Sequence, residues 1–351
     1  MKGTQVEAVN RIVYVDQPDP VPAPGEVVVR VHYTGVCGSD VPRVLQGTVH
    51  SFPQTLGHES AGVVSAVGEG VDEALVGTRV SVLPLVPCGE CPDCQVGRFS
   101  LCKHYSFIGS RRPGTMAEYV AVPAQNIFPL GDDVSDLEGA FFEPASIGIH
   151  GIELARFSAG ANAIVIGAGT IGILTAQTLK GYGASTVVVS NHTAARLEQA
   201  RAAGLSNLVN TAEEGWRQRA FELNGGNAFD FVFDTAGTPA TIIDALEMAA
   251  NRATVCYIGT PKAPVEFTVP QWELINRKEL LVTGAWMSYS KPWPGIEWQK
   301  VNEFFNRGIL RVDPSMIDAT YNLREIADAF KKFVYPNKAM GKIVIDSWQE
   351  S

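Results

Sequence analysis

Cys88, Cys91, Cys94 and Cys102 form a C-x2-C-x2-C-x7-C run. With Gly89, Pro92 and Gly97 supplying tight turns, four thiols at that spacing can converge on one metal ion. A closed tetrahedral set of four thiolates suits a structural zinc, which needs no open coordination position. An iron–sulfur cluster is the competing assignment, but ferredoxin-type runs differ in their last intervals and no second cluster motif is present. Cys37 and Cys256 stand apart from the run. Six cysteines so distributed read as ligands plus isolated thiols, not as a disulfide framework, because thiols are kept reduced in the cytosol.

Two further stretches each offer a zinc-type ligand at the end of a predicted strand, Gly35-Val36-Cys37-Gly38-Ser39-Asp40 and Gly57-His58-Glu59. Taken singly, either would fit ordinary core or surface packing, and Gly-Ser-Asp is also a good turn sequence. A third motif, Gly167-Ala168-Gly169-Thr170-Ile171-Gly172, is a G-x-G-x-x-G. It follows the apolar run Ala163–Ile166 and opens a helical stretch at Thr170. In that setting Gly167, Gly169, Thr170, Ile171 and Gly172 can bring backbone N–H groups and a helix N-terminus against a pyrophosphate. Gly259 and Thr260, after a later strand, are expected at the nicotinamide half. About 20 residues past the glycines, NAD-specific sites place a carboxylate on the ribose hydroxyls. Here the chain reads Ser190-Asn191-His192. Without that acid, Asn191, His192 or Arg196 could hydrogen-bond a 2′-phosphate, so the expectation is NADP, with NAD the alternative.

Positioning these groups takes two kinds of element. Residues 1–150 are rich in Val, Gly and Pro, with short runs such as Glu26–Val31 and Ala61–Val67 between turn residues, which predicts an antiparallel β domain carrying a zinc lobe at 84–104. Over 151–285 the texture changes to strands (Ala163–Ile166, Thr186–Val189, Phe231–Phe233, Thr254–Ile258) alternating with helical stretches such as Thr170–Tyr182. That alternation predicts an α/β doubly wound parallel sheet. Residues 286–351 return to strand character through Gly341–Asp346 and are expected to rejoin the first domain.

With 351 residues, 46% of them hydrophobic, the chain can bury more core than one ordinary domain needs. The formal net charge of -9 argues against a nucleic-acid or anionic-membrane surface. No stretch stays apolar for the ~18 residues of a membrane span, and the start lacks an apolar targeting core, so a soluble cytoplasmic protein is expected.

The stretch Gly57-His58-Glu59-Ser60-Ala61-Gly62, with Gly68 and Val71 following, resembles the signature of the zinc-containing medium-chain alcohol and polyol dehydrogenases. Cys37, the four-cysteine lobe and the later glycine motif fall in that family's order. The resemblance implies a GroES-like β-rich catalytic domain plus a Rossmann domain, and two zinc ions per chain. It implies a catalytic zinc held by Cys37, His58 and Glu143, the last in Phe142-Glu143-Pro144-Ala145, with Glu59 as an alternate ligand. Three protein ligands leave a position open where a substrate hydroxyl can bind and its pKa can fall. The same resemblance casts Asp40 as the carboxylate orienting the histidine and Ser39 as the hydroxyl that takes the substrate proton toward solvent. Pro42 lies close to where some alcohol dehydrogenases have a histidine ending that relay, so this exit is expected to be missing. Relatives dimerise through a sheet edge of the dinucleotide domain, so the resemblance implies a homodimer, with a tetramer as the alternative.

Gly38–Arg43, Phe107-Ile108-Gly109-Ser110-Arg111-Arg112 and Gly284–Ser290, continuing through Pro292-Trp293-Pro294-Gly295, are similar to the polyol-phosphate dehydrogenases of that family. This implies oxidation of a secondary alcohol of a hexitol phosphate, such as galactitol 1-phosphate, to a ketose phosphate. Guanidinium groups bind phosphate bidentately, so Arg43, Arg111 and Arg112 are candidate substrate residues, with His50 and Trp286 as pocket walls. A solvated Arg111-Arg112 pair is the plain alternative. An unphosphorylated polyol or ketose of the sorbitol or xylitol type is the second substrate class. A non-catalytic, zinc-stapled NADPH-binding regulator is the reading of another class; it would not need Cys37, His58 and Glu143 together.

Overall fold

Valine alternation builds the first sheet. In the strand Glu26–Gly35, Val27, Val29 and Val31 share one fully buried face, while on the other face Val28 is buried and Arg30 exposed. Val27, Val29 and Val31 pack with Val64, Val80, Val82, Val120 and Val122 into one cluster. The computed structural model describes residues 1–334 and 339–349. By contacts the chain forms two units: residues 1–143, 289–302 and 317–351, and residues 144–288 and 303–316.

The first unit holds a seven-stranded sheet in the order Ile317–Asn322, Lys342–Asp346, Glu26–Gly35, Glu59–Val67, Arg79–Val82, Ile127–Pro129, with Tyr119–Pro123 also paired to Glu26–Gly35. Its pairings are antiparallel except one: Ile317–Asn322 runs parallel to Lys342–Asp346, so the sheet is mixed where an antiparallel one is expected from the sequence. The register Val344↔Gly35, Ile345↔Thr34 sets the last strand beside the segment leading to Cys37.

The second unit carries a six-stranded, wholly parallel sheet in the order Leu208–Asn210, Thr186–Asn191, Asn162–Ile166, Phe229–Asp234, Ala249–Tyr257, Leu281–Gly284. In sequence terms that order is 3-2-1-4-5-6, the doubly wound dinucleotide-binding arrangement. Ala163, Ile164, Val165 and Ile166 are all at most 1% exposed, as a central strand covered on both faces requires.

The units are cut differently from a 1–150, 151–285 and 286–351 division. Helix Phe142–Leu154 leaves Glu143 in the first unit and takes residues from Pro144 onward into the second, where Gly148 packs against Thr175. Residues 303–316 also belong to the second unit: the ring of Phe304 meets that of Tyr182 at 5.8 Å, and Gln177 exchanges hydrogen bonds with the backbone of Arg311. Trp286 and Ser288 fall in the second unit as well, Ser288 Oγ lying 2.6 Å from Ser146 Oγ.

Candidate active site and metal centres

The four cysteines of the lobe come together as their spacing requires. Their sulfurs lie within 4.8 Å of one another, with Cys102 Sγ 3.4 Å and Cys94 Sγ 3.9 Å from Cys88 Sγ. A tetrahedral zinc with Zn–S bonds of about 2.3 Å sets its sulfurs about 3.8 Å apart, so the cradle fits that ion. Helix Pro92–Gln95 makes the turn between Cys91 and Cys94, and its proline sits in the first turn, where a missing N–H is tolerated. The N–H of Cys91 donates to Cys88 Sγ at 3.4 Å and that of Cys88 to Cys102 Sγ at 3.3 Å. Backbone N–H groups at Cys94 and Lys103 pull the Cys91 thiol down to about 6, whereas burial pushes Cys94 up to about 12. The lobe is pinned by Ser100, whose Oγ accepts from the N–H of Tyr289 at 2.8 Å, and by the edge contact of Phe99 with Trp293.

The second cluster is assembled from separate elements. Cys37 follows the strand Glu26–Gly35, His58 precedes Glu59–Val67, and one ligand atom from each of Cys37, His58 and Glu59 lies within 4.8 Å of the others. His58 is buried, and its Nδ1 has no hydrogen-bond partner, as expected of a ring whose role is incomplete without a further group. Asp40, fully buried, has its Oδ1 3.6 Å from His58 Nδ1: an ion-pair distance, too long for the hydrogen bond that the resemblance implies. Asp40 is nonetheless a hub. Its Oδ2 accepts from the N–H of Cys37 at 3.1 Å and its Oδ1 from Arg43 Nη1 at 2.9 Å, while Arg43 Nη1 also donates to Ser39 Oγ at 3.0 Å.

Burial raises the Cys37 thiol well above its ordinary value, and the charges of Glu59 and Asp40 add to the rise; a dication at this place would reverse that. Glu143, in the first turn of its helix, feels the charges of His58, Glu59, Lys342 and Asp40, and desolvation pushes its carboxyl up to about 7. Two soft-to-borderline donors, Cys37 and His58, with carboxylates beside them, form the N/S/O set that zinc takes. One residue here escaped sequence reasoning. Lys342, buried in the strand Lys342–Asp346, donates to Glu59 Oε2 at 2.5 Å and to the Val36 carbonyl at 3.4 Å. A charged residue at an inward strand position, in Gly341-Lys342-Ile343-Val344-Ile345, was the only signal.

The arginines proposed for substrate diverge. Arg43 is engaged by Asp40 and Ser39 as above. Arg111 lies over the Tyr105 ring at 4.1 Å, donates to the Tyr105 carbonyl at 2.7 Å, and turns its Nε toward His50 Nε2 at 3.4 Å. Arg112 pairs with Glu26 Oε1 at 3.6 Å, so of the three arginines Arg43 and Arg112 have carboxylate partners. Trp286 is 54% exposed in the second unit.

In the second unit the glycine motif occupies the expected turn. Gly167 has φ +107°, and a Cβ on Gly172 would lie 1.9 Å from the Gly167 carbonyl oxygen, so neither tolerates a side chain. Gly169 caps the helix Thr170–Gly181, whose first turn contains Thr170 and Ile171. The crevice is completed by Gly259 and Thr260, packed on Gly237, and by Thr235, whose hydroxyl donates to the Ile166 and Gly167 carbonyls. All leave the carboxyl ends of adjacent parallel strands, where such sheets bind ligands. Asn191 braces the glycine turn: its Oδ1 accepts from the Ala168 N–H and its Nδ2 donates to the Thr193 carbonyl, both at 3.1 Å. His192 is exposed, and Arg196 reaches the same turn, its Nη1 3.4 Å from the position of a Gly169 Cβ.

A β-rich unit with a four-thiol lobe and a Cys-His-Glu cluster, followed by a parallel dinucleotide-binding sheet, defines a class. The chain belongs to the zinc-binding alcohol dehydrogenase family and is an oxidoreductase: the alcohol dehydrogenase GroES-like domain matches residues 23–132 and the zinc-binding dehydrogenase domain residues 170–305. It is 37% identical over 320 residues to galactitol 1-phosphate 5-dehydrogenase of Escherichia coli (strain K12), covering 91% of this chain and 92% of that one. The crystal structure of galactitol-1-phosphate dehydrogenase from Escherichia coli superposes with a TM-score of 0.91 at 35% identity, over 99% of this chain and 100% of that one. An alcohol dehydrogenase of E. coli CFT073 complexed with NADH matches at TM-score 0.87 and 28% identity over 99% of each chain. A zinc-binding dehydrogenase of Sinorhizobium meliloti 1021 bound to NADP matches at 0.88 and 29% over 98% of each.

Proposed function

We propose that the chain oxidises a secondary alcohol of a hexitol phosphate, galactitol 1-phosphate or a near relative, to the ketose phosphate, or runs the reverse, with NADP in preference to NAD. The observation that carries the substrate class is Arg111: no carboxylate pairs with it among the described residues, yet it is held over Tyr105 and beside His50 in a stretch similar to the hexitol-phosphate enzymes. A fixed, unpaired guanidinium in a chain of net charge -9 is suited to a phosphate. An unphosphorylated polyol or ketose is the second reading, favoured by the pairing of Arg112 with Glu26 and of Arg43 with Asp40, which leaves one arginine free instead of three.

In this reading Cys37, His58 and Glu143 would hold the catalytic zinc, with Glu59 as alternate ligand, and the four cysteines the structural zinc. Held there, zinc would supply Lewis acidity toward a substrate hydroxyl, and the dinucleotide would supply a hydride acceptor. Asp40 accepts the Cys37 N–H and so positions that ligand, and its carboxylate lies 3.6 Å from His58 Nδ1. Ser39 is exposed and receives a hydrogen bond from Arg43, which leaves its own O–H free to relay a proton directly to water without a histidine at position 42. NADP is supported by the missing acid at Asn191 and by Arg196, a guanidinium beside the glycine turn with no carboxylate partner among the described residues. The regulator reading loses ground to the clustering of Cys37, His58 and Glu59.

A homodimer is proposed through the strand Leu281–Gly284, which is paired on one side only and exposes Leu281 by 67% and Val282 by 44%. A cytoplasmic location is proposed with it; no described helix is long and apolar enough to cross a membrane. Phosphorylated and free hexitols and pentitols assayed at 340 nm with NAD and NADP, zinc included, test the function. The expected result is turnover of a hexitol phosphate with the higher kcat/KM for NADP; activity on free polyols alone, or a preference for NAD, overturns the corresponding part.

A further inference from the structure

A cavity of about 510 Å³ opens in the first unit, and none of the residues lining it belongs to either metal cluster. Small-molecule sites typically measure about 300–1,000 Å³. Separate segments meet around it: the antiparallel hairpin of Lys2–Ala8 with Arg11–Asp16, the short turn Leu323–Glu325 after the strand Ile317–Asn322, and residues 347–349.

Two cations converge there on one ring. Lys2 stands opposite Asp16 in the hairpin, and Tyr14 lies on the same face, two residues before Asp16. Lys2 Nζ lies 5.9 Å and the Arg324 guanidinium carbon 5.3 Å from the centre of the Tyr14 ring. The hydrogen bond to Asp16 keeps the Lys2 ammonium charged, and the charge of Arg324 works against it. Arg324 itself has no carboxylate partner among the described residues. The carboxylate in the wall, Glu118, is turned to the backbone: its Oε2 accepts from the Lys2 N–H at 2.6 Å.

A further donor comes from the interior. Asn322 lines the cavity yet is only 6% exposed. Its Oδ1 accepts from the N–H groups of Arg324 at 2.9 Å and Glu325 at 3.2 Å, which also fixes the backbone from which the Arg324 side chain extends. Its Nδ2 has no partner among the described residues, and a buried amide with two unused N–H groups marks a missing acceptor. Trp348 forms an apolar wall, held by its Nε1 donating to the Val31 carbonyl at 2.7 Å and by ring contacts with the Arg30 guanidinium at 4.1 Å and Tyr119 at 5.7 Å.

We propose that this cavity binds a small organic oxyanion, a phosphate ester or a carboxylate carrying a ring, at a site separate from the one that turns substrate over. The anion offsets the repulsion between Lys2 and Arg324 and accepts from the free amide of Asn322. A planar guanidinium offers it parallel donors and an ammonium a point charge. Tyr14 and Trp348 supply aromatic surface for the ring. Every part lies in the first unit, so the site is complete without the dinucleotide-binding sheet.

The test is calorimetric titration of the full-length, zinc-loaded protein with phenyl phosphate and with benzoate, in an Arg111→Ala background that removes the unpaired guanidinium proposed for substrate. One saturable site per chain is expected, with a Kd of about 1 mM or tighter. Tighter binding of phenyl phosphate assigns a phosphate ester, and tighter binding of benzoate a carboxylate. Arg324→Gln and Lys2→Gln, each placed at the surface, should weaken that site about tenfold or more. No saturable site for either anion would overturn the proposal. So would a site that keeps its full affinity in both Arg324→Gln and Lys2→Gln, or one seen in the wild type that disappears with Arg111→Ala alone.

Discussion

Asp40→Asn isolates the contribution of one buried charge to the candidate centre. Asp40 is fully buried and accepts from two donors with different oxygens, the Cys37 N–H at 3.1 Å and Arg43 Nη1 at 2.9 Å, while facing His58 at 3.6 Å. An asparagine has one acceptor oxygen, so its amide nitrogen must oppose one of those donors. The variant therefore loses a charge-assisted hydrogen bond and leaves a donor unsatisfied, together about 2–3 kcal/mol. For a unit of this size each kcal/mol lowers the melting midpoint by roughly 2–4 °C, so a fall of roughly 5–10 °C is expected. Calorimetry of the zinc-loaded proteins measures it, with zinc content and kcat followed in parallel because Asp40 holds the Cys37 backbone and faces His58. An Asp40→Asn protein that melts within about 2 °C of the wild type and keeps both zinc ions and full turnover would refute the assignment of Asp40 as the hub.

Other consequences can be checked independently. Cys94→Ser should lower the zinc content from two ions per chain to one and redden the emission of Trp293, which Phe99 of the lobe touches at 5.4 Å; unchanged metal content would sink the lobe assignment. Gly172→Ala puts a methyl against the Gly167 carbonyl oxygen, so dinucleotide affinity measured by fluorescence titration should fall about tenfold or more, a loss of about 1.4 kcal/mol, with zinc content unchanged. Trp298→Ala removes a fully buried ring packed on Tyr289 and Phe128 and should cost about 3–5 kcal/mol of first-unit stability in denaturant titration. Asp234 has its carboxyl raised by desolvation, so its ionisation opposes folding: that part of the stability is present below the ordinary value near 3.8 and lost as pH rises through the folded value. Asp234→Asn should therefore melt higher than the wild type at pH 8, with the gap closing toward pH 4.

The sequence by itself determined whatever is encoded over short separations. C-x2-C-x2-C-x7-C can close on one ion because the linking turns are only a few residues long, and the lobe forms as read. G-x-G-x-x-G was legible for the same reason, since Gly167 needs positive φ and Gly172 meets the Gly167 carbonyl within one turn. The central strands of the parallel sheet showed as continuous apolar runs, whereas Leu208–Asn210 and the exposed edge Leu281–Gly284 were too short or too wet for any period to register. Tertiary structure alone decided which charges neutralise one another. Nothing local distinguishes Arg111 from Arg112, yet one faces His50 and the other is taken by Glu26 on a distant strand. That Asn191 braces the Ala168 N–H was likewise not readable from its place at the end of the strand. Lys342 and Glu59 are 283 residues apart, and only the antiparallel register of the last strand against Glu26–Gly35 brings them together. Ion pairs act over a few ångströms with no chain periodicity, so their partners are set by the packing of strands and are invisible in the order of residues.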